Sequence, residues 1–295
     1  FTKNDYMKLY SVNKANPKTN NILYNCPHSG EEFPSEFLNL IDIDKQTLLL
    51  SGDSFVDKLF SEVDNNGSQF FKNHFGRSFI DTNRSAYELD PTMFYGDISA
   101  PLLSESAKVK LGYGSIARLA YNRKEIYRDK IPFSYAQKII DDYYFPVHKK
   151  LYSLINEDHE KFGYSLLVDC HSMPSYEFLD HKISSAKQPD IILGDLHGKS
   201  CHCAITRFVA DHFKKYDLIV AHNTPFAGGY NTDHYSDPAS NRHAIQIEIK
   251  KSLYMDEKNR ILNKYFEPLK IIISSLCYHL DKNIEALVSQ NGAPK

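Results

Sequence analysis

The stretch SLLVDCHSM (165–173) constrains the fold more tightly than any other. Leu166, Leu167 and Val168 form a short unbroken apolar run, the signature of a strand buried on both faces. That run then delivers Asp169, Cys170, His171 and Ser172. Strands of this kind belong to sheets covered by helices, and the chain supplies the rest of the pattern. ILYNC (22–26), DIILG (190–194) and LIVAH (218–222) read as further strands, and HAIQIEIK (243–250) as an alternating one. SFIDTNR (78–84) reads as a short strand entering a polar loop.

Helical spacing fills the intervals. DSFVDKLFSEV (53–63) places Phe55, Val56, Leu59, Phe60 and Val63 on one face, with Asp53 as its cap. Residues 134–163 carry an apolar stripe, a capping box at Ser134 and Gln137, a kink at Pro146 and a stop at Gly163. CAITRFVADHFKKY (203–216) is a further helix, and a long C-terminal helix over 256–282 begins near Asp256. The Gly- and Pro-punctuated section 89–132 reads as long loops with short strands. The alternation predicts one α/β domain over 1–295, with a mostly parallel sheet covered on two sides. Functional groups in such sheets gather beyond the strand ends.

Composition excludes several roles. Lys and Arg total 35 against 37 Asp and Glu, a formal net charge of −2, and the cations are scattered. This argues against a nucleic acid or an anionic membrane as partner and leaves a small molecule. No apolar run reaches the ~18–20 residues that span a bilayer, and FTKNDYMKLY at the start has no signal-peptide core. Five cysteines cannot all pair internally, and Cys26 and Cys170 lie in or beside apolar strands. Reduced thiols and a cytoplasmic location are expected.

A second strand ends as 165–173 does. NILYNCPHSGEEFP (21–34) releases His28 and then Glu31, three residues apart and able to converge on one ion. Imidazole and carboxylate are ordinary Zn²⁺ ligands, and His171 offers a third, with Glu32 competing for the place of Glu31. By spacing alone, polar residues of a surface turn and a carbonyl-bonded histidine read the same way. Glu248 faces opposite Ile245, Ile247 and Ile249, either as a solvent-facing carboxylate or as a general base. Asn83 and Arg84 follow a strand, where Arg can fork onto a substrate carboxylate or simply sit as a surface charge. Asp169 leaves its strand on the same side as His171, either to hold that imidazole or to cap the next turn. FAGGY (226–230) reads as a cover with Gly228 and Gly229 as flexible points and Tyr230 pointing inward, or as a plain glycine turn. CHC (201–203) lacks a second pair at zinc-finger spacing and is assigned to structure or to the pocket edge.

Seven segments resemble, in order, those of the N-formylglutamate amidohydrolases: NCPHSGEEFP, DTNRSAYELDP, IYRDKIP, YYFPVHKKL, LLVDCHSMP, PDIILGDLHGKSC and NTPFAGGYNTDHYSDPASNRHAIQIEIKKSLYMDE. The resemblance covers about 21–257. It implies a three-layer α/β/α fold with a mixed sheet, related to the zinc carboxypeptidases, and one Zn²⁺ per chain. It implies His28, Glu31 and His171 as ligands and Glu248 as the catalytic carboxylate. Asn83–Arg84 is similar to the pair with which carboxypeptidases hold a terminal carboxylate. The implied reaction, a step of histidine breakdown, converts N-formyl-L-glutamate to L-glutamate and formate, with Arg84 or Arg118 beside the oxyanion. A second carboxylate anchor is expected among Arg118, Arg128, Arg207 and Arg242, with Arg128 favoured because its segment belongs to the pattern. The chain departs from the family at Val147, where an aromatic is usual, and in LGYGSIAR (111–118), and both bear on substrate preference. Two rivals stand beside this reading: a zinc hydrolase of another N-acyl amino acid or small peptide end, and a non-catalytic dicarboxylate-binding protein.

Overall fold

The computed structural model describes residues 7–121, 123–175 and 188–289; the first six residues of the N-terminal segment read above lie outside it. Eleven strands are seen among the described residues: β1 (Tyr10–Lys14), β2 (Ile22–Cys26), β3 (Gln69–Asn73), β4 (Phe94–Tyr95), β5 (Ile131–Pro132), β6 (Ser165–Met173), β7 (Ile191–Gly194), β8 (Val220–His222), β9 (Arg242–Lys250), β10 (Met255–Asp256) and β11 (Ile261–Leu262). Seven of them form one sheet in the order β1-β3-β2-β6-β9-β7-β8. β2 and β9 both run parallel to β6, β7 runs antiparallel to β9, and β8 runs parallel to β7. The architecture is α/β with a mixed, mostly parallel sheet.

The chain groups into two compact units, interleaved in sequence. One takes the chain up to Ser11, then Pro27–Ser54 and Lys72–Leu151; the other takes Val12–Cys26, Phe55–Phe71 and the chain from Tyr152 onward. The second unit holds most of the sheet. Alternation puts Ile22, Tyr24 and Cys26, Leu166, Val168 and Cys170, and Ile245, Ile247 and Ile249 on one sheet face. That face packs with Val56, Leu59, Ile205, Val209 and the inner stripe of the helix Phe266–Ser289 in one apolar core.

The first unit is helical and loop-rich, with short strands and an aromatic core. Phe79 lies 5.2 Å from Phe37 and 4.9 Å from Tyr143, and Phe75 meets Tyr143 edge-on at 5.8 Å. Centroid separations in this range are favourable for tilted and edge-on pairs.

Several local expectations are corrected. Residues 78–84 form turns, not a strand, because Phe79 is drawn into the aromatic core and the Asp81 carboxylate accepts from Asn83 N at 2.8 Å. Helix 53–63 shrinks to Val56–Leu59: Phe55 before it is left-handed (φ 67°), and Asp53 is not its cap. Ser134 caps nothing, since that helix begins at Phe133 behind Pro132. Pro146 is accommodated by a π-turn over Ile140–Tyr144, with Phe145 N reaching back five residues to Ile140 O. Gly163 does end the helical region, at φ 73°. The C-terminal helix starts at Phe266, because Asp256 caps a turn by accepting from Lys258 N and Asn259 N. β9 has no solvent face: it lies between β6 and β7, with Gln246 and Glu248 buried. The five cysteines are free thiols. No helix among the described residues is long and apolar enough to cross a membrane.

A candidate metal centre at the end of two parallel strands

β6 brings the site together from the middle of the sheet. Asp169 pairs in register with Asn25 of β2 and with Gln246 of β9, and His171 pairs with Glu248. Paired residues on neighbouring strands share a face, so Asn25, Asp169, His171, Gln246 and Glu248 line one surface of the sheet. This is the face opposite the apolar core. His171 Nε2 lies 2.7 Å from Asp169 Oδ2, and Asp169 Oδ1 accepts from Asn25 Nδ2 at 2.7 Å. Asn231, buried in the short helix after the glycine-rich loop, adds a longer contact, its Nδ2 to Asp169 Oδ1 at 3.4 Å. With Nε2–H given to a carboxylate, Nδ1 is the lone-pair nitrogen of His171. Gln246 Nε2 donates to Glu248 Oε1 at 2.8 Å.

Two residues beyond the end of β2, His28 is held in the same manner. Its Nε2 lies 2.7 Å from Asp81 Oδ1, which again makes Nδ1 the lone-pair nitrogen. Nδ1 in turn lies 3.4 Å from Asp53 Oδ2. The backbone fixes this pairing: Asp53 N donates to His28 O at 2.9 Å, and Ser29 Oγ donates to Asp53 O at 3.0 Å. Gly30 must be a glycine, because a Cβ there would collide with the backbone of His74 and Phe75. Burial raises the Asp81 carboxyl, but Arg77, His28 and Arg84 outweigh it and hold the group well below the usual carboxylate range.

Ligand-capable atoms of His28, Asp53 and His171 all lie within 4.8 Å of one another, and the three residues are buried. Two imidazole nitrogens and a carboxylate oxygen, each imidazole steadied by a further carboxylate, are a donor set for a borderline divalent cation. The residues present therefore fit a metal ion. Glu31, expected in this role, is exposed and is not among the three grouped residues; the third member of the group is Asp53. Asp53 was missed because a polar residue ahead of an apolar helical stripe reads as a cap. It follows Gly52 directly, where a Cβ would come within 3.1 Å of His28 O.

The expected anchors fall differently. Arg84 is half-buried, with Nε donating to Tyr113 O at 3.3 Å and Nη1 to Asn83 O at 2.9 Å. It makes no salt bridge among the described residues, while Asn83 beside it is buried. Arg118 is matched by two carboxylates, Asp90 at 2.8 Å and Glu125 at 2.6 Å. Arg128 is exposed, 3.5 Å from Asp42. Tyr230, partly exposed, opens the short helix Tyr230–His234 and stacks on His234 at 4.8 Å. Cys201 is buried and His202 caps the helix Cys203–Lys214, so CHC is structural.

The N-formylglutamate amidohydrolase profile matches residues 20–255. This chain belongs to that family. An N-formylglutamate deformylase of Pseudomonas putida is 30% identical over 145 residues, which span 48% of this chain and 52% of that protein, about half its length. The N-formylglutamate deformylase of Pseudomonas aeruginosa is 24% identical over 80% of this chain and 83% of its own. The crystal structure of N-formylglutamate amidohydrolase from Ralstonia eutropha JMP134 superposes with a TM-score of 0.89 at 28% identity, covering 94% of this chain and 99% of that one. Membership gives the buried cluster a chemical context, the hydrolysis of an amide.

Proposed function

We propose that this protein hydrolyses the formyl amide of N-formyl-L-glutamate to L-glutamate and formate, with one Zn²⁺ held by His28, Asp53 and His171. The observation that carries the reading is the buried cluster of those three residues, with Glu248 beside His171 in register on the same sheet face. When bound, the ion supplies Lewis acidity, polarising the formyl carbonyl and acidifying water. Glu248 is the general base: its carboxylate takes the proton of the attacking water and returns it to the departing amine. Asp81 and Asp169 keep the two imidazoles in the tautomer that presents Nδ1.

Arg84 anchors a substrate carboxylate. Its guanidinium is oriented in advance by the carbonyls of Tyr113 and Asn83; it makes no salt bridge among the described residues, though its charge helps hold the Asp81 carboxyl down. Asn83 and Tyr230 are assigned to substrate contact. Arg118 and Arg128 are weaker candidates for the second carboxylate, since Asp90 and Glu125 already neutralise the first and the second lies exposed beside Asp42.

The test is formate release from N-formyl-L-glutamate, beside acetate release from N-acetyl-L-glutamate, with metal content measured for the parent and His171→Ala. The expected result is about one zinc per chain and formate release, both lost in the variant, with no turnover of the acetyl compound. Metal without formate release would redirect the search to other acyl amino acids. A protein that binds neither metal nor substrate would end the reading.

A further inference from the structure

Gln246 occupies a place where a central strand ordinarily puts an apolar side chain. It is only 4% exposed. Its neighbours in register are Asp169 on β6 and Gly194 on β7. Gly194 has no room for a side chain, because a Cβ there would strike the backbone of Ala227 and Gly228. Gln246 is therefore walled by Asp169 on one side and by loop backbone on the other. What remains is the direction along the strand, towards Glu248, and there Nε2 donates to Glu248 Oε1 at 2.8 Å.

The other end of the amide is not satisfied. Gln246 Oε1 is buried and has no hydrogen-bond donor among the described residues. Burying an amide with its oxygen unpartnered is unfavourable, and a methionine or leucine of similar volume would avoid the loss. A buried amide kept at such a position is explained by what its donor end does.

We infer that Gln246 is a positioning residue for Glu248, fixing the carboxylate through Oε1 so that Oε2 is the oxygen that exchanges the proton. This rests on the assignment of Glu248 as general base above. A carboxylate on a flexible Glu side chain rotates about its last torsion and presents either oxygen. An N–H bound to Oε1 sets the plane of the group and the direction of the remaining lone pairs before the substrate arrives. Gln246 touches no reacting atom; its effect passes through Glu248 alone.

The experiment is a two-by-two set in the metal-loaded protein: parent, Gln246→Met, Glu248→Gln and the double variant, each with metal content, melting temperature, kcat and KM for N-formyl-L-glutamate. Gln246→Met should lower kcat by about 10- to 100-fold while KM and metal stoichiometry stay within about twofold. In the Glu248→Gln background the same substitution should change the residual rate by less than about twofold, because the group it serves is gone. Gln246→Leu gives the same comparison should the methionine variant not fold. Equal losses in both backgrounds, or a rise in KM in place of the fall in kcat, would overturn the inference and leave Glu248 as the base. Glu248→Gln turning over at the parental rate, or a parent that releases no formate, would instead remove the reading on which it stands.

Discussion

The two faces of β2, β6 and β9 are both buried and chemically opposite. One carries Ile22, Tyr24, Leu166, Val168, Cys170, Ile245, Ile247 and Ile249 against helices; the other carries Asn25, Asp169, His171, Gln246 and Glu248. Burial alone does not separate a core from a site here. What separates them is that the polar face is bound into a chain of hydrogen bonds, Asn25 to Asp169 to His171 and Gln246 to Glu248. An apolar face needs volume, and near-isosteric swaps preserve it. A polar face needs each partner, because removing one strands another in a medium that cannot solvate it.

The largest effect should come from the polar face. Glu248→Gln is expected to lower kcat by about 10²–10⁴-fold with melting temperature and metal content unchanged, measured by formate release on metal-loaded protein. Next, Asp53→Ala should abolish stoichiometric metal binding in a chelator-competition titration, whereas Glu31→Ala should leave it intact; the reverse pattern would return Glu31 to the site. On the apolar face, Ile247→Ala should cost roughly 2–5 kcal/mol in denaturant unfolding while the folded fraction keeps its kcat. A loss of kcat in that variant would mean that the faces are not independent. Asn25→Ala removes the shorter of two amide contacts to Asp169 and should weaken metal affinity by roughly 10–100-fold without unfolding the protein.

The smallest effect concerns one acid on the apolar side. Asp281, on the C-terminal helix, accepts from Ser68 Oγ at 2.8 Å and from Tyr24 Oη at 3.3 Å. Burial pushes its carboxyl up to about 7, against the opposing pull of Ser68, Tyr24 and Lys282. A carboxyl whose folded value exceeds its unfolded one gives its full stability below the unfolded value, near pH ~4, and loses it as pH rises through the folded value. Melting temperatures between pH 5 and pH 8 should therefore fall more steeply in the parent than in Asp281→Asn. Parallel curves would show that Asp281 stays ionised throughout.

The same contrast explains what the sequence made legible. β6 could be placed because its apolar run announces it, β9 because its isoleucines alternate, and Asp169 with His171 because residues two apart on a strand share a side. The turn at 78–84 was hidden: Phe79 and Ile80 look like strand residues, yet Phe79 packs among Phe37, Phe75 and Tyr143. Asp53 was hidden for another reason. A cap and a candidate ligand have one local appearance, and the bonds that place Asp53 beside His28, from Asp53 N to His28 O and from Ser29 Oγ to Asp53 O, are not announced by the sequence. Glu31 has the better spacing and is nonetheless exposed, since spacing along the chain says which residues can converge but not which way the turn faces.

His28, Asp53 and His171 come from three distant places in the chain. The unfolded polypeptide thus contains no ready chelate, and an ion that binds only the native molecule stabilises it by mass action. At a free concentration a hundredfold above Kd that amounts to about 2.7 kcal/mol, enough to shift the fraction exposed to proteolysis by roughly a hundredfold. Trace-metal supply would then govern how long the protein survives as well as how fast it works, and scarcity of the ion would be registered first as a fall in abundance.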